Sequence, residues 1–160
     1  ESTVIDVTTT PPAILRPGGI TKEMIEAVIG PVESAHETKA QEAPRSPGMK
    51  YAHYAPEAPV YLIEADQEKI RKAVTNCQQQ GQKVAVIGPR ELMNEEANWY
   101  FSIGTVTNLE EMAMNLYKAL RQCDTTDADL ILAVETNRDG VGEAFMNRLL
   151  KAADGRRYKN

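Results

Sequence analysis

The chain has 160 residues, 42% of them apolar and 26% charged, with a formal net charge of −5 at neutral pH. That is enough apolar material for one well-buried domain with an attached remnant, but too little length for two domains of ordinary size. The acidic balance and the lack of long like-charge runs exclude a strong phosphate-backbone binder, and no apolar stretch approaches the roughly 18 residues that span a bilayer.

Ser2 to Val7 reads as a β-branched strand centred on Val4 and Ile5. The first residue is Glu1 and not a methionine, and the sequence opens almost inside this strand, so it reads as part of a longer protein. A Thr-Thr-Thr-Pro-Pro turn leads to a second strand over Ala13–Arg16, and a helix follows Pro17-Gly18-Gly19. Thr21 suits the N-cap, Ile20 is placed to staple onto Ile25, and Gly30 is placed to end the helix in a left-handed conformation. Residues 1–30 cannot close a core alone, because Met24, Ile25 and Val28 need a partner sheet the sequence does not supply.

Between Pro31 and Pro59 the composition shifts, with five of the nine prolines set among Glu, Ser, Ala and Lys and no helical or strand period. This is a linker in the extended, semi-rigid regime. From Val60 the pattern alternates strand and helix: a strand Val60–Ile63, then a helix from about Asp66 with Ile70, Ala73, Val74 and Cys77 on one face, ended by Gly81. Val84–Ile87 is a continuous apolar run of the kind buried on both faces of a parallel sheet. A strand over Trp99–Ile103 precedes a helix beginning at Asn108, whose pairing with Glu111 is a variant capping box and whose Met112, Leu116, Ala119, Leu120 and Cys123 form one apolar face. The strand Leu130–Val134 and a helix from about Val141, with Phe145, Leu149 and Ala152 aligned, complete the pattern. Strands alternating with helices of ten to fifteen residues predict an open, mostly parallel α/β sheet, Rossmann-like and three-layered.

Cys77 and Cys123 lack CxxC spacing and a neighbouring His, so they read as buried thiols of a reducing compartment. The densest basic cluster, Arg156, Arg157 and Lys159, reads as a solvated tail, leaving any tRNA contact by this chain weak or absent.

Two segments carry candidate chemistry. Arg16 stands at a strand end before two glycines and a helix start, which is either a plain strand-to-helix turn or a cation placed for phosphate or carboxylate. Within the linker, Ser46 to Pro56 packs Lys50, Tyr51, His53 and Tyr54 into eleven residues, either as surface glue or as a ligand-contacting segment. The partial GxGxxG at Gly140-Val141-Gly142-Glu143-Ala144-Phe145 has Phe at its third position and follows a late strand, so it reads as a loop with a helix start.

Taken in order, Ser2-Thr3-Val4-Ile5-Asp6, Ile14-Leu15-Arg16-Pro17-Gly18, Ser46-Pro47-Gly48-Met49-Lys50-Tyr51 with His53-Tyr54-Ala55-Pro56, and Met146-Asn147-Arg148-Leu149-Leu150 resemble the long, two-domain form of the threonylcarbamoyl-AMP synthase family. The resemblance implies a nucleotidyltransferase that forms threonylcarbamoyl-AMP and pyrophosphate from L-threonine, bicarbonate and ATP, with Mg²⁺ expected beside ATP. The product then passes to the machinery that modifies a tRNA adenosine beside the anticodon, and the location implied is cytoplasmic. It further implies that residues 1–30 are the remnant of a YrdC-like catalytic domain, 31–59 a linker folding over the active-site mouth, and 60–160 a Rossmann-like C-terminal domain. By the same likeness Ser2 contacts threonine, Arg16 contacts ATP phosphates, and Lys50, Tyr51, His53 and Tyr54 belong to the lid, Tyr54 being favoured over Tyr51 for the nucleotide. Most of the family's nucleotide pocket has no counterpart in these residues, so the chain alone is not expected to catalyse. The alternatives are a binding module in which the C-terminal domain holds a nucleotide or effector at the carboxyl ends of its strands, and a structural or tRNA-docking appendage.

Overall fold

The computed structural model describes residues 2–34 and 55–159, arranged as two β-sheets with four α-helices. The first sheet runs in the order β1 (Val4–Asp6), β2 (Ala13–Arg16), β3 (Glu33–Ser34). β1 and β2 are antiparallel, pairing Val4 with Arg16 and Ile5 with Ile14, and their turn is held by Asp6, whose carboxylate accepts from the backbone N–H and hydroxyl of Thr8 at 2.8 and 2.6 Å. From β2 the chain crosses through α1 (Lys22–Ile29) to the parallel strand β3.

Thr21 caps α1 as its sequence predicts, accepting from the Met24 N–H at 3.3 Å. Ile20, expected to staple onto Ile25, stands 56% exposed. Gly30 has the expected positive φ of 83°, but its ψ of −166° is extended and not left-handed helical. The cause is Pro31, because a residue before proline is driven to extended ψ, and only glycine joins that to a positive φ without strain. No residue of α1 is buried, and Met24, Val28 and Ile29 stand 57%, 83% and 51% exposed. The β3 pairing also carries this sheet past residue 30, since Val32 is buried and Glu33 donates its N–H to the Pro12 carbonyl at 2.8 Å.

The second sheet is entirely parallel, in the order β4 (Val60–Ile63), β7 (Leu130–Val134), β5 (Val84–Gly88), β6 (Trp99–Ser102). Every residue of β5 and β7 is buried, as their unbroken apolar runs require of strands covered on both faces. Alternation along each strand sorts the core. Ala85, Ile87, Ile131 and Ala133 face α3 (Leu109–Cys123) and α4 (Val141–Ala153), whereas Val84, Val86, Leu130 and Leu132 face α2 (Gln67–Gln79). The helix residues predicted to point inward, Ile70, Ala73, Val74 and Cys77 on α2 and Met112, Leu116, Ala119, Leu120 and Cys123 on α3, are all buried. Asp66 and Asn108 cap these helices by accepting from the N–H groups of Lys69 and Glu111. The result is the expected three-layer α/β domain.

Two features depart from the sequence pattern. The β5–β6 crossover has no α-helix, only a 3₁₀ turn over Arg90–Leu92, and Leu92 and Ala97 cover the α2 side of the sheet instead. The basic C-terminal segment is not simply a solvated tail. It lies along the edge of β4, with Leu62 donating to the Arg156 carbonyl and Tyr158 donating to the Leu62 carbonyl, both at 2.9 Å. Arg156 Nε reaches the Val60 carbonyl at 3.2 Å, and Arg157 Nη1 reaches Glu135 Oε2 at 2.7 Å. Covering an edge strand in this way removes a row of unpaired backbone groups.

Burial has an ionic consequence. Burial first, then the charge of Asp124, pushes the Cys123 thiol up to about 12; burial, then Cys77, pushes Tyr158 up to about 12; and burial raises Tyr100 as well. The folded state keeps these protons where the unfolded chain has released them, at about 8.5 for Cys and 10 for Tyr. Their contribution to stability is therefore complete below those values and is lost as pH rises through them toward 12. We expect the urea midpoint at about pH 11 to fall below that at about pH 8, and neither thiol to react with an aromatic disulfide reagent at pH 8 before unfolding. An unchanged midpoint together with rapid thiol labelling contradicts this account.

Candidate functional site

Two places gather polar groups. The first is the edge of the small sheet, where the β1–β2 register sets the start of β1 against the end of β2. There the half-buried Arg16 donates from Nη2 to Ser2 Oγ at 3.1 Å, so two sequence-predicted site residues fourteen positions apart meet directly. Thr3 fixes the same corner by donating its hydroxyl to the Ile20 carbonyl at 2.5 Å. Pro17 and Gly18 are buried beneath the turn. The N-terminus of α1 is served by its own chain, because Thr21 caps it and Glu23 sits in the first turn with its carboxyl held below the usual range, chiefly by a backbone hydrogen bond and then by Thr21. A phosphate arriving here therefore finds its cation in Arg16 and not in the helix end.

Lys50, Tyr51, His53 and Tyr54 lie outside the described residues. Among the described residues no group of three or more His, Cys, Asp or Glu side chains could hold a metal ion, so no metal-dependent step is assigned to them. No helix of the described residues is long and apolar enough to cross a membrane.

The second place is a crevice of about 380 Å³ at the carboxyl ends of β4, β5 and β7. Its polar wall is Glu64, Glu135, Thr136 and Asn137, and its apolar wall includes Pro89 and Met112. Glu64 is paired with Lys69, and Glu135, only 16% exposed, with Arg157. The partial glycine motif lies beside this crevice but does not cradle anything. A Cβ on Gly142 would stand 2.3 Å from the Asn137 carbonyl oxygen, and Gly140 adopts φ 56° and ψ −125° at the helix start. Both glycines are required by the tight β7–α4 junction. From the sequence this place is reached only through the alternative of a binding module at the carboxyl ends of the strands, which assigns no residue to it; the linear signal is a glutamate directly after each of two strands, Glu64 after β4 and Glu135 after β7.

The family model for the C-terminal domain of threonylcarbamoyl-AMP synthase matches residues 20–154. The threonylcarbamoyl-AMP synthase of Bacillus subtilis is 46% identical over 158 residues, covering 98% of this chain and 46% of that protein. That of Pyrococcus abyssi is 43% identical over 165 residues, covering 99% and 47%. The chain thus spans a little under half the length of these curated relatives. Among solved structures, Sua5 of P. abyssi complexed with L-threonine superposes on all of this chain and 47% of its own, with TM-score 0.85 and 41% identity. The C-terminal Sua5 domain of a Pyrococcus horikoshii protein covers 64% of this chain and 96% of its own, with TM-score 0.52 and 34% identity.

The Gly142 contact yields a direct test. Gly142→Ala forces its methyl against a backbone oxygen, so the junction must shift, and we expect a loss of about 1–3 kcal/mol in urea unfolding. A midpoint equal to that of the parent chain contradicts the close approach.

Proposed function

The chain belongs to the threonylcarbamoyl-AMP synthase C-terminal domain family, and from that premise we propose that it is part of an L-threonylcarbamoyladenylate synthase serving tRNA threonylcarbamoyladenosine formation. In this reaction the amine of L-threonine and bicarbonate form a carbamate, with loss of water. A carbamate oxygen then attacks the α-phosphorus of ATP, the bond to the bridging oxygen breaks, and pyrophosphate leaves. The class is nucleotidyl transfer, which rests on positioning and on neutralising phosphate charge more than on covalent chemistry of the protein.

One observation carries the site reading: the 3.1 Å contact between Arg16 Nη2 and Ser2 Oγ. The two substrates must bring nucleophile and phosphorus to about 3–3.5 Å, so the groups that hold them have to be neighbours. A hydroxyl suited to a small polar amino acid and a cation suited to phosphate, already in contact, meet that requirement. We assign Ser2 to L-threonine and Arg16 to the ATP phosphates; the relative from P. abyssi, solved with L-threonine, supports the first substrate.

On this reading residues 1–30 form one edge of a YrdC-like catalytic domain, 31–59 the linker over its mouth, with Lys50, Tyr51, His53 and Tyr54 toward the nucleotide, and 60–160 the C-terminal domain. The bare apolar face of α1 agrees with this, because Met24 and Val28 are the residues such a domain would cover. Mg²⁺ enters with ATP and takes no ligand set from the described residues. The reaction is cytoplasmic, where ATP and tRNA are available. The 160-residue chain by itself releases no pyrophosphate, since one sheet edge cannot preorganise both substrates.

In a protein of the relatives' full length, Arg16→Ala should raise the ATP requirement about ten- to hundredfold while changing threonine binding little, a loss of roughly 1.5–3 kcal/mol for one charge-assisted contact. Ser2→Ala should weaken threonine more than ATP. Pyrophosphate release at varied ATP and varied threonine separates the two effects, and equal losses for both substrates in both variants overturn the assignment.

A further inference from the structure

The crevice beyond β4, β5 and β7 has no part in the chemistry proposed at Ser2 and Arg16. Its position follows from the sheet. In open parallel sheets ligands bind outside the carboxyl ends of the strands where the strand order reverses, and here the chain runs from β5 to β6 and then back to β7 between β5 and β4. Its volume, about 380 Å³, falls within the range of small-molecule sites, about 300–1,000 Å³.

The lining indicates the ligand class. One wall, with Pro89 and Met112, is apolar and suits a planar base; the other offers the Thr136 hydroxyl, the Asn137 amide and the carboxylates of Glu64 and Glu135. Neither the Thr136 hydroxyl nor the Asn137 amide makes a hydrogen bond among the described residues, whereas both carboxylates are already neutralised by Lys69 and Arg157. A carboxylate so placed keeps lone pairs for sugar hydroxyls, the role an acidic residue near a strand end plays toward ribose in dinucleotide-binding folds.

Phosphate, by contrast, finds no welcome. Asp66 caps α2 ahead of Glu68 and Asn108 caps α3 ahead of Glu110 and Glu111, whereas α4 begins at Gly140 with no side-chain cap and opposes an anion only through Glu143 in its first turn. The anion-binding property of a helix N-terminus is thereby taken up or opposed by the chain itself. We propose that the crevice binds an uncharged nucleoside, base against Pro89 and Met112 and ribose against Thr136, Asn137 and the two glutamates, and that it discriminates against the same nucleoside once phosphorylated. This separates it from a site for ATP.

The test is a titration of the ¹⁵N-labelled 160-residue chain with adenosine, AMP and ATP, followed by amide chemical shifts. Adenosine should move the Ala65, Thr136 and Asn137 resonances saturably, with AMP and ATP binding there at least tenfold more weakly. Thr136→Val, which keeps the shape and removes the hydroxyl, should weaken adenosine roughly three- to tenfold. Ala65→Trp, at an exposed position of the crevice wall, should abolish the shifts without unfolding the chain. Absence of shifts at millimolar adenosine, shifts confined to the surroundings of Ser2 and Arg16, or ATP binding in the crevice as tightly as adenosine would each overturn the proposal. Because the readout does not involve pyrophosphate release, it stands or falls separately from the assignment of Ser2 and Arg16.

Discussion

A parallel sheet with both faces apolar must be covered on both sides, and most of the second half of this chain follows from that constraint. β5 and β7 contain no exposed residue, so α2 with the β5–β6 loop has to lie on one face and α3 with α4 on the other. Full burial of each Val, Leu or Ile in these strands contributes about 1.5–3 kcal/mol, which outweighs the modest helix propensities of the segments between them. With strand directions and helix layers fixed, the loops after β4, β5 and β7 converge at one end, and the crevice is what they enclose. The C-terminal segment completes the arrangement by pairing with the outer edge of β4.

The small sheet lives under the opposite condition. Ile14, Leu15 and Val32 are buried, but α1 contributes no buried residue and leaves three large apolar side chains to solvent. Its local structure is well specified, by the Thr21 cap, the Asp6 turn and the β1–β2 register, yet among the described residues nothing covers the apolar side chains of α1. A polar constellation built on such a sheet, as Ser2 and Arg16 are, depends for precision on whatever packs against α1. A direct bond links the two sheets, from Ser34 Oγ on β3 to Glu143 on α4 at 3.3 Å.

What could be read from the sequence was whatever local pattern determines. The apolar faces of α2 and α3 were legible because a period of 3.6 residues specifies them, and the caps at Thr21 and Asn108 because a short polar side chain three residues before an N–H is a local geometry. β3 was not legible, since two residues carry no periodicity and exist as a strand only through pairing with β2. The tail strand was hidden in the same way: Arg156 and Arg157 look like a solvated cluster until β4 offers an edge. At the site, Arg16 is marked by its own turn and Ser2 only by the family resemblance; their contact depends on register, and the crevice depends on strand order, and neither is encoded in any short stretch. At Gly30 the residue type alone specifies the positive φ, whereas ψ is set by the proline that follows.

The four-stranded sheet is covered on both faces by its own helices, whereas α1 of the small sheet buries no residue, so the two should differ widely in local stability. Hydrogen exchange of the 160-residue chain, resolved by residue, tests it directly, because protection reports the local free energy of opening. The account predicts that amides of β5 and β7 exchange only at the rate set by global unfolding, while those of α1, Lys22–Ile29, exchange many orders of magnitude faster. Protection of α1 equal to that of the β5 and β7 strands would contradict it.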